Sequence, residues 1–382
     1  MSQFNFHLPT KILFGLPVQT ALVDALNALD VKKVLLVSDP GLEQIGLVDE
    51  VTVVIQKNGG AATRFTAVSS NPTTDEVSAG LELARAQQVD ALVALGGGSP
   101  IDVAKGIALL LANGGSYADY QWGNKTINRR SWPLIAIPTT AGTGSEVSRV
   151  AVISDPANPF KKGVLSPLMF PHVAIADPQL TRDLPPWLTA ATGIDAFTHA
   201  LETFIGRRAN PFTDQFAQAA MQTAWNYLPK ATTNGSDRVF REKMMLAALW
   251  GGMAMDHSGL GLVHALSGPL TSHLHLHHGL ANGVILPYVF AFNLPAISSE
   301  KRNFFVQLFG LEEPANDAAL VKALFDFISD LGLPVTLQEI TIPLDDLDWE
   351  LIAEETTRMV LIQNNPREAS VSDCRGVLEQ MV

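Results

Sequence analysis

One cysteine, Cys374, is the only thiol in 382 residues. A lone thiol excludes an intramolecular disulfide framework and a thiolate metal cluster, so any bound metal must be held by His, Asp or Glu. Positive charge is also scarce: 26 Lys and Arg stand against 38 Asp and Glu, for a formal net charge of −12. Such a field repels polyanions and makes nucleic acid a poor partner. Charged residues are only 17% of the chain and hydrophobic ones 47%, with 29 Gly and 23 Pro, which excludes long disordered tails and suits a compact, Gly-turned α/β protein. The opening MSQFNFHLPTKILFG lacks a basic segment followed by an apolar one, and the apolar stretches elsewhere read as broken before they span a bilayer. The expectation is an unexported, cytoplasmic chain with no membrane partner.

What is present divides into two halves, as a chain longer than one hydrophobic core should. Short β-rich runs occur at KKVLLVSD (32–39), VTVVIQK (51–57), ALVALGGG (91–98), PLIAIPTT (133–140), VAVISD (150–155) and HVAIAD (172–177). Helical patterns such as TDEVSAGLELARAQQ (74–88) lie between the earlier ones, so the runs predict a parallel sheet with helices on its faces. After DLPPWLTAATG (183–193) the apolar residues recur at three- and four-residue spacing, as in TDQFAQAAMQTAWNYL and REKMMLAALWGGMAM. That period predicts an all-helical half, and Pro185-Pro186 sets the boundary near residue 184.

In the first half, ALVALGGGSPIDVAK reads as a strand, then Gly96-Gly97-Gly98, then a helix start. Residues without side chains let backbone amides approach a phosphate, and the helix N-terminus adds partial positive charge. Ser99 is placed as N-cap, Pro100 at the first helical position, and Asp102 completes a capping-box-like pattern. The stretch is not a G-x-G-x-x-G fingerprint, and a capped turn with no ligand satisfies it equally. A second polar loop, PTTAGTGSE (138–146), also follows a strand, where a strand's carboxyl end faces a ligand crevice. Two such loops imply a dinucleotide. Asp39, closing LLVSD, suits an adenosine ribose and disfavours a 2′-phosphate, or serves only as a turn former.

In the second half, Asp195 and His199 of GIDAFTHALE share one helix side at i and i+4, with Glu202 following at i+7. His264 lies in GLGLVHALSGPL, and HLHLHHGLANG carries four more histidines. One carboxylate with three imidazoles from separate helices makes an oxygen and nitrogen site for a divalent ion, open to a substrate oxygen. A core histidine satisfied by a carbonyl, and an exposed histidine-rich turn, are the plainer readings of the same residues.

Taken in order, GGGSPIDVAK, IPTTAGTGSE, TAATGIDAFTHALE, GLVHALSGPL and HHGLANG resemble the iron-containing, group III alcohol dehydrogenase family, from ILFG (12–15) to NNPRE (364–368). The resemblance implies a dehydroquinate synthase-like architecture: a Rossmann-like α/β NAD-binding domain over residues 1–184 and an all-α metal-binding domain over 185–382. It implies four metal ligands, Asp195, His199, His264 and His278, while His277 stands at the wrong offset. It places pyrophosphate contacts at Gly97, Gly98 and Ser99, with Asp102 counted in the same cofactor-binding segment, and nicotinamide-side contacts at Thr139, Thr140 and Thr143. Asp39 matches its ribose-binding acid and Lys161 its ribose-binding lysine, with Lys162 as competitor. The implied cofactors are NAD and Fe(II), or Zn(II) on affinity order alone. The implied reaction is reversible hydride transfer between the nicotinamide and a small alcohol or aldehyde, in a homodimer.

Two other readings of the resemblance are a dehydroquinate-synthase-like lyase and a maleylacetate-reductase-like keto-acid reductase. One departure stands out. Where many relatives have a second histidine four residues after the ligand, this chain has Gly268, which cannot carry a proton. His257, seven residues before His264 and so expected on the same helix side, or else His277, is the candidate relay; the alternative is proton release through the cofactor ribose and water.

Overall fold

The computed structural model describes residues 3–158, 162–340, 344 and 347–382. The chain forms two compact units, His7–Arg182, and Asp183–Val382 together with the N-terminal residues to Phe6. In the first, strands β1 (Lys11–Phe14), β2 (Lys33–Val37), β3 (Ala61–Phe65), β4 (Ala91–Gly96), β5 (Leu134–Pro138) and β8 (Val173–Ala176) form one sheet in the order β1-β8-β5-β4-β2-β3. All its pairings are parallel. A two-strand hairpin, β6 (Val150–Ala151) with β7 (Val164–Leu165), stands apart from it.

Strand alternation sends successive side chains into two different cores. Leu35, Val37, Leu92 and Ala94 point to one face, where α4 (Thr74–Ala86), α5 (Gly98–Asn113) and α6 (Tyr117–Gln121) cover them. Val34, Leu36, Val93 and Leu95 point to the other, beneath α1 (Val18–Ala28) and α3 (Leu47–Lys57). Burial on both faces is why these strands read as continuous apolar runs.

Two strand expectations fail, and two strands went unread. VTVVIQK is helical, within α3, because Val48, Val51, Thr52 and Ile55 fall at i, i+3, i+4 and i+7 and bury one stripe, while Val53 is exposed. That stripe outweighs the strand preference of β-branched residues. The third sheet strand is instead AATRF, and β1 is the short KILF; neither has enough apolar length to announce itself. VAVISD contributes only β6, outside the main sheet.

The second unit is built on α7 (Pro186–Ile205), which begins at a proline whose missing N–H is no loss in a first turn and is buried from Thr189 to Ile205. It packs against α8 (Pro211–Thr233), α9 (Arg238–Ser258) and α11 (His278–Asn293). The remaining helices are α10 (Leu262–Leu274), α12 (Ser299–Leu308), α13 (Asp317–Asp330), α14 (Trp349–Arg358) and α15 (Val371–Gln380). Contrary to the expectation that every apolar stretch is broken, the stretch His278–Ala296 is long and apolar enough to cross a bilayer. Pro287 sits inside α11 without ending it. Two-thirds of the apolar window is buried within the fold, as in a core helix that is apolar all round.

Candidate active site

Asp195 and His199 lie one turn apart on α7, both buried, with Asp195 Oδ1 3.6 Å from His199 Nε2. His264, in the first turn of α10, brings its Nε2 to 3.5 Å from the same oxygen, and its ring stacks on that of His199. Ligand atoms of these three residues all lie within 4.8 Å of one another. His278, first residue of α11, points Nε2 at Asp195 Oδ1 from 3.8 Å, and its side chain is 48% exposed. Gly279 makes that approach possible: a Cβ there would lie 2.1 Å from the Ala191 carbonyl oxygen, so α11 starts directly on the α7 backbone. Tetrahedral ligands about 2.1 Å from one ion stand about 3.4 Å apart, close to these separations, and the donor set is one a divalent ion accepts. Asp195, His199 and His264 fit a metal, and His278 stands beside them at the edge of the group.

Their partners set which ring nitrogen turns toward Asp195. Glu202, one turn on from His199, accepts from the Val263 amide at 2.6 Å and pairs its other oxygen with His264 Nδ1 at 2.6 Å. The Nδ1 proton therefore belongs to that contact, and the Nε2 lone pair faces Asp195. Ser267 Oγ stands 3.1 Å from His278 Nδ1, where its hydroxyl can donate or accept. Burial pushes Asp195 up, but His199, His264 and His278 outweigh it and hold the carboxyl well below the usual carboxylate range. Burial likewise pulls His264 down, while Glu202 and Asp195 raise it to about 9. That shift favours an imidazolium, whereas the donor facing Nε2 from Asn282 requires a neutral ring. Both reflect one field, set by two buried carboxylates, that favours positive charge at Nε2, and a metal ion meets it with the ring neutral.

The two polar loops of the first unit meet each other. Gly96 has φ 154°, and a Cβ there would fall 2.5 Å from Pro100 Cγ. A Cβ on Gly97 would lie 3.4 Å from Thr140 Oγ1, and one on Gly98 3.0 Å from Thr143 Cγ2. Thr139 N donates to the Gly96 carbonyl at 3.0 Å. The expected cap is corrected: Gly97, not Ser99, is the N-cap of α5 and gives no side-chain cap, while Ser99 Oγ donates to the Ser70 carbonyl. The first-turn amides are thus left for an anion, and the bare glycine cradle fits a pyrophosphate. Asp102 accepts from Ser145 Oγ at 2.5 Å and from the Val152 amide at 2.8 Å, 3.6 Å from buried Lys105 Nζ, so it ties the second loop to α5. Asp39 caps α2 (Pro40–Gln44), accepting from the Leu42 amide at 3.0 Å. Lys161 lies outside the described residues; Lys162 stacks its ammonium over Trp122.

His257 is not brought to Asp195. Gly259, at φ 78°, ends α9 and α10 begins three residues later, so His257 and His264 do not share a helix. The His257 ring stacks on Phe6 at 3.9 Å and its Nδ1 meets the Met253 carbonyl at 2.7 Å. His277 precedes α11 as N-cap, edge-on to Trp187; burial lowers its pKa, partly opposed by Asp195. At Gly268 a Cβ would meet Met359 Cε at 3.1 Å, so a thioether lies where a side chain would go. Sequence reasoning passed over Ser267 and Asn282. Their signal was helical spacing, i+3 from His264 and i+4 from His278.

The family model for iron-containing alcohol dehydrogenase matches residues 9–178, and the model for the C-terminal region of the same family matches residues 189–382. The NAD-dependent methanol dehydrogenase of Bacillus methanolicus is 37% identical over 380 residues, covering 98% of this chain and 99% of that protein. Among solved structures, a 1,3-propanediol oxidoreductase superposes with a TM-score of 0.94 at 32% identity over the whole of both chains. The sulfoacetaldehyde reductase of Bifidobacterium kashiwanohense, in complex with NAD+, superposes at 0.88 with 30% identity, covering 100% of this chain and 99% of that one.

Proposed function

The chain belongs to the iron-containing alcohol dehydrogenase family and is a metal-dependent, NAD-linked alcohol dehydrogenase, and from that premise we propose which of its residues carry the reaction. Asp195, His199, His264 and His278 would hold the metal, which we take as Fe(II) with Zn(II) as the rival. An ion held there supplies Lewis acidity toward a substrate hydroxyl or carbonyl oxygen. NAD supplies the hydride acceptor, and NADH the donor in the reverse direction.

The rest is the work of the chain. Asp195 stays ionised and keeps the negative charge that a cation needs. Glu202 and Ser267 meet the Nδ1 sides of His264 and His278, and the Nε2 of each is turned toward Asp195. The α5 amides beyond Gly97 and Gly98, with Ser99 beside them, take the pyrophosphate, and Thr139, Thr140 and Thr143 flank the nicotinamide half. Asp39 takes the adenosine ribose hydroxyls and disfavours a 2′-phosphate. His257 has no part in this scheme. The substrate is a small alcohol or its aldehyde, in keeping with relatives named for methanol, 1,3-propanediol and sulfoacetaldehyde. A cytoplasmic homodimer completes the reading; the scarcity of cysteine is in keeping with a reducing compartment.

The observation that carries this reading is the approach of Asp195, His199 and His264 to within 4.8 Å. Chelator-treated protein should lose NAD reduction across a panel of primary alcohols and diols, and regain it with one divalent ion. Activity that persists without metal, or turnover with no net NADH, would refute it, the latter in favour of the lyase.

A further inference from the structure

We propose that Asn282 is a positioning residue of the metal site: its amide gathers Asp195, His264 and His278 into a ligand set and so raises the affinity of the protein for the ion. The proposal rests on the ligand assignment above. Asn282 is fully buried, and its amide nitrogen lies 2.7 Å from Asp195 Oδ1, 3.1 Å from His264 Nε2 and 3.2 Å from His278 Nε2. A carboxylate oxygen and two imidazole lone pairs are all acceptors, so only the NH2 end of the amide can face them. That fixes the direction of the side chain. Its Oδ1 is then turned away, buried and without a hydrogen-bond partner, an orientation that costs the desolvation of that oxygen. The charge-assisted bond to Asp195 offsets that cost.

The placement follows from the helix. Asn282 is i+4 from His278 on α11, on the same side, and the contact of Gly279 with α7 delivers both to Asp195. Without the amide, three acceptors, two of them buried, face one another with no donor between them. They repel, and the first consequence is that His278, the exposed member, moves away from Asp195. Ordering the ligands would then fall to the ion itself, at the expense of its affinity.

The test is titration of the metal-free full chain with Co(II), whose ligand-field spectrum reports coordination and whose binding is measured by competition with a chromophoric chelator. Asn282→Ala should raise the Co(II) Kd about 10–100-fold, the range typical of partners that orient metal ligands, and weaken the ligand-field bands. NADH binding and circular dichroism should match wild type. Should the alanine variant fail to fold, Asn282→Leu, which keeps the volume without the donor, carries the same expectation. A Kd within twofold of wild type in the folded variant overturns the proposal. So does tighter binding, which would mean that the amide competes with the ion. If the wild-type chain takes no Co(II), the ligand assignment itself falls and the proposal with it, an outcome distinct from equal binding by both proteins.

Discussion

The two polar centres are made of different material. In the first unit the glycine loop and the start of α5 present backbone, and the neighbouring threonine loop is held by Asp102 and Lys105 through hydrogen bonds to Ser145, Val152 and Val150. In the second, chemistry is carried by side chains from α7, α10 and α11, and Asp195, His264 and His278 each meet another buried group. A backbone site is robust to most side-chain changes nearby and intolerant of a single Cβ. A side-chain site is the reverse: its reach is set by rotamer and tautomer, so it fails when an acceptor or donor in the surrounding shell is removed.

The largest test of that contrast is Asp195→Ala. Loss of at least about 10³-fold in kcat/KM is expected, about 4 kcal/mol, with loss of bound metal by elemental analysis and no change in NADH fluorescence titration. An equal loss of NADH binding would break the separation between the centres.

Next is Glu146→Gln in the threonine loop. Burial raises Glu146 to about 7, only partly opposed by its own backbone amide and Lys105. An acid whose folded pKa exceeds its unfolded value near 4.5 stabilises the protein least where it must ionise, so wild-type stability falls as pH rises from about 4.5 to about 7. The glutamine variant should escape that fall. Its advantage over wild type should grow by up to about 3 kcal/mol between pH 5 and pH 8 in urea melts; an advantage independent of pH would refute it.

A smaller effect is expected for Glu202→Gln. Glutamine has one acceptor where Glu202 uses two, for Val263 N and His264 Nδ1, so Co(II) affinity should drop about 10–100-fold with the fold intact. Unchanged affinity would mean that the tautomer of His264 does not need the carboxylate. Smallest is Gly98→Ala. With its Cβ 3.0 Å from Thr143 Cγ2, KM for NAD should rise several-fold, about 1 kcal/mol, while metal affinity stays put. A metal effect here would blur the contrast that the other three sharpen.

The same contrast explains what was legible in the chain. Loops at the ends of continuous apolar strands are local features, so Gly96-Gly97-Gly98 and Thr139–Thr143 could be located from neighbours along the chain. Their fine roles could not: the α5 cap moved from Ser99 to Gly97, and Asp102 turned out to brace a loop 43 residues further on. VTVVIQK was misjudged because β-branched residues favour strands locally, whereas a buried stripe decides in the folded chain. His257 was misplaced because Gly259 ends its helix, an interruption that spacing alone did not reveal.

By itself the amino-acid order determined the ingredients: a parallel-sheet half, a helical half, Asp195 and His199 on one helix side, and acceptor-rich residues with no thiol among the candidate ligands. Only tertiary packing decided that Glu202 should meet His264, 62 residues on, and that Asn282 should meet Asp195 across 87. The reason is physical. Helical periodicity sets which residues share a face, but which faces meet depends on how closely backbones approach, as α11 does on α7 at Gly279, and that is a property of the packed core.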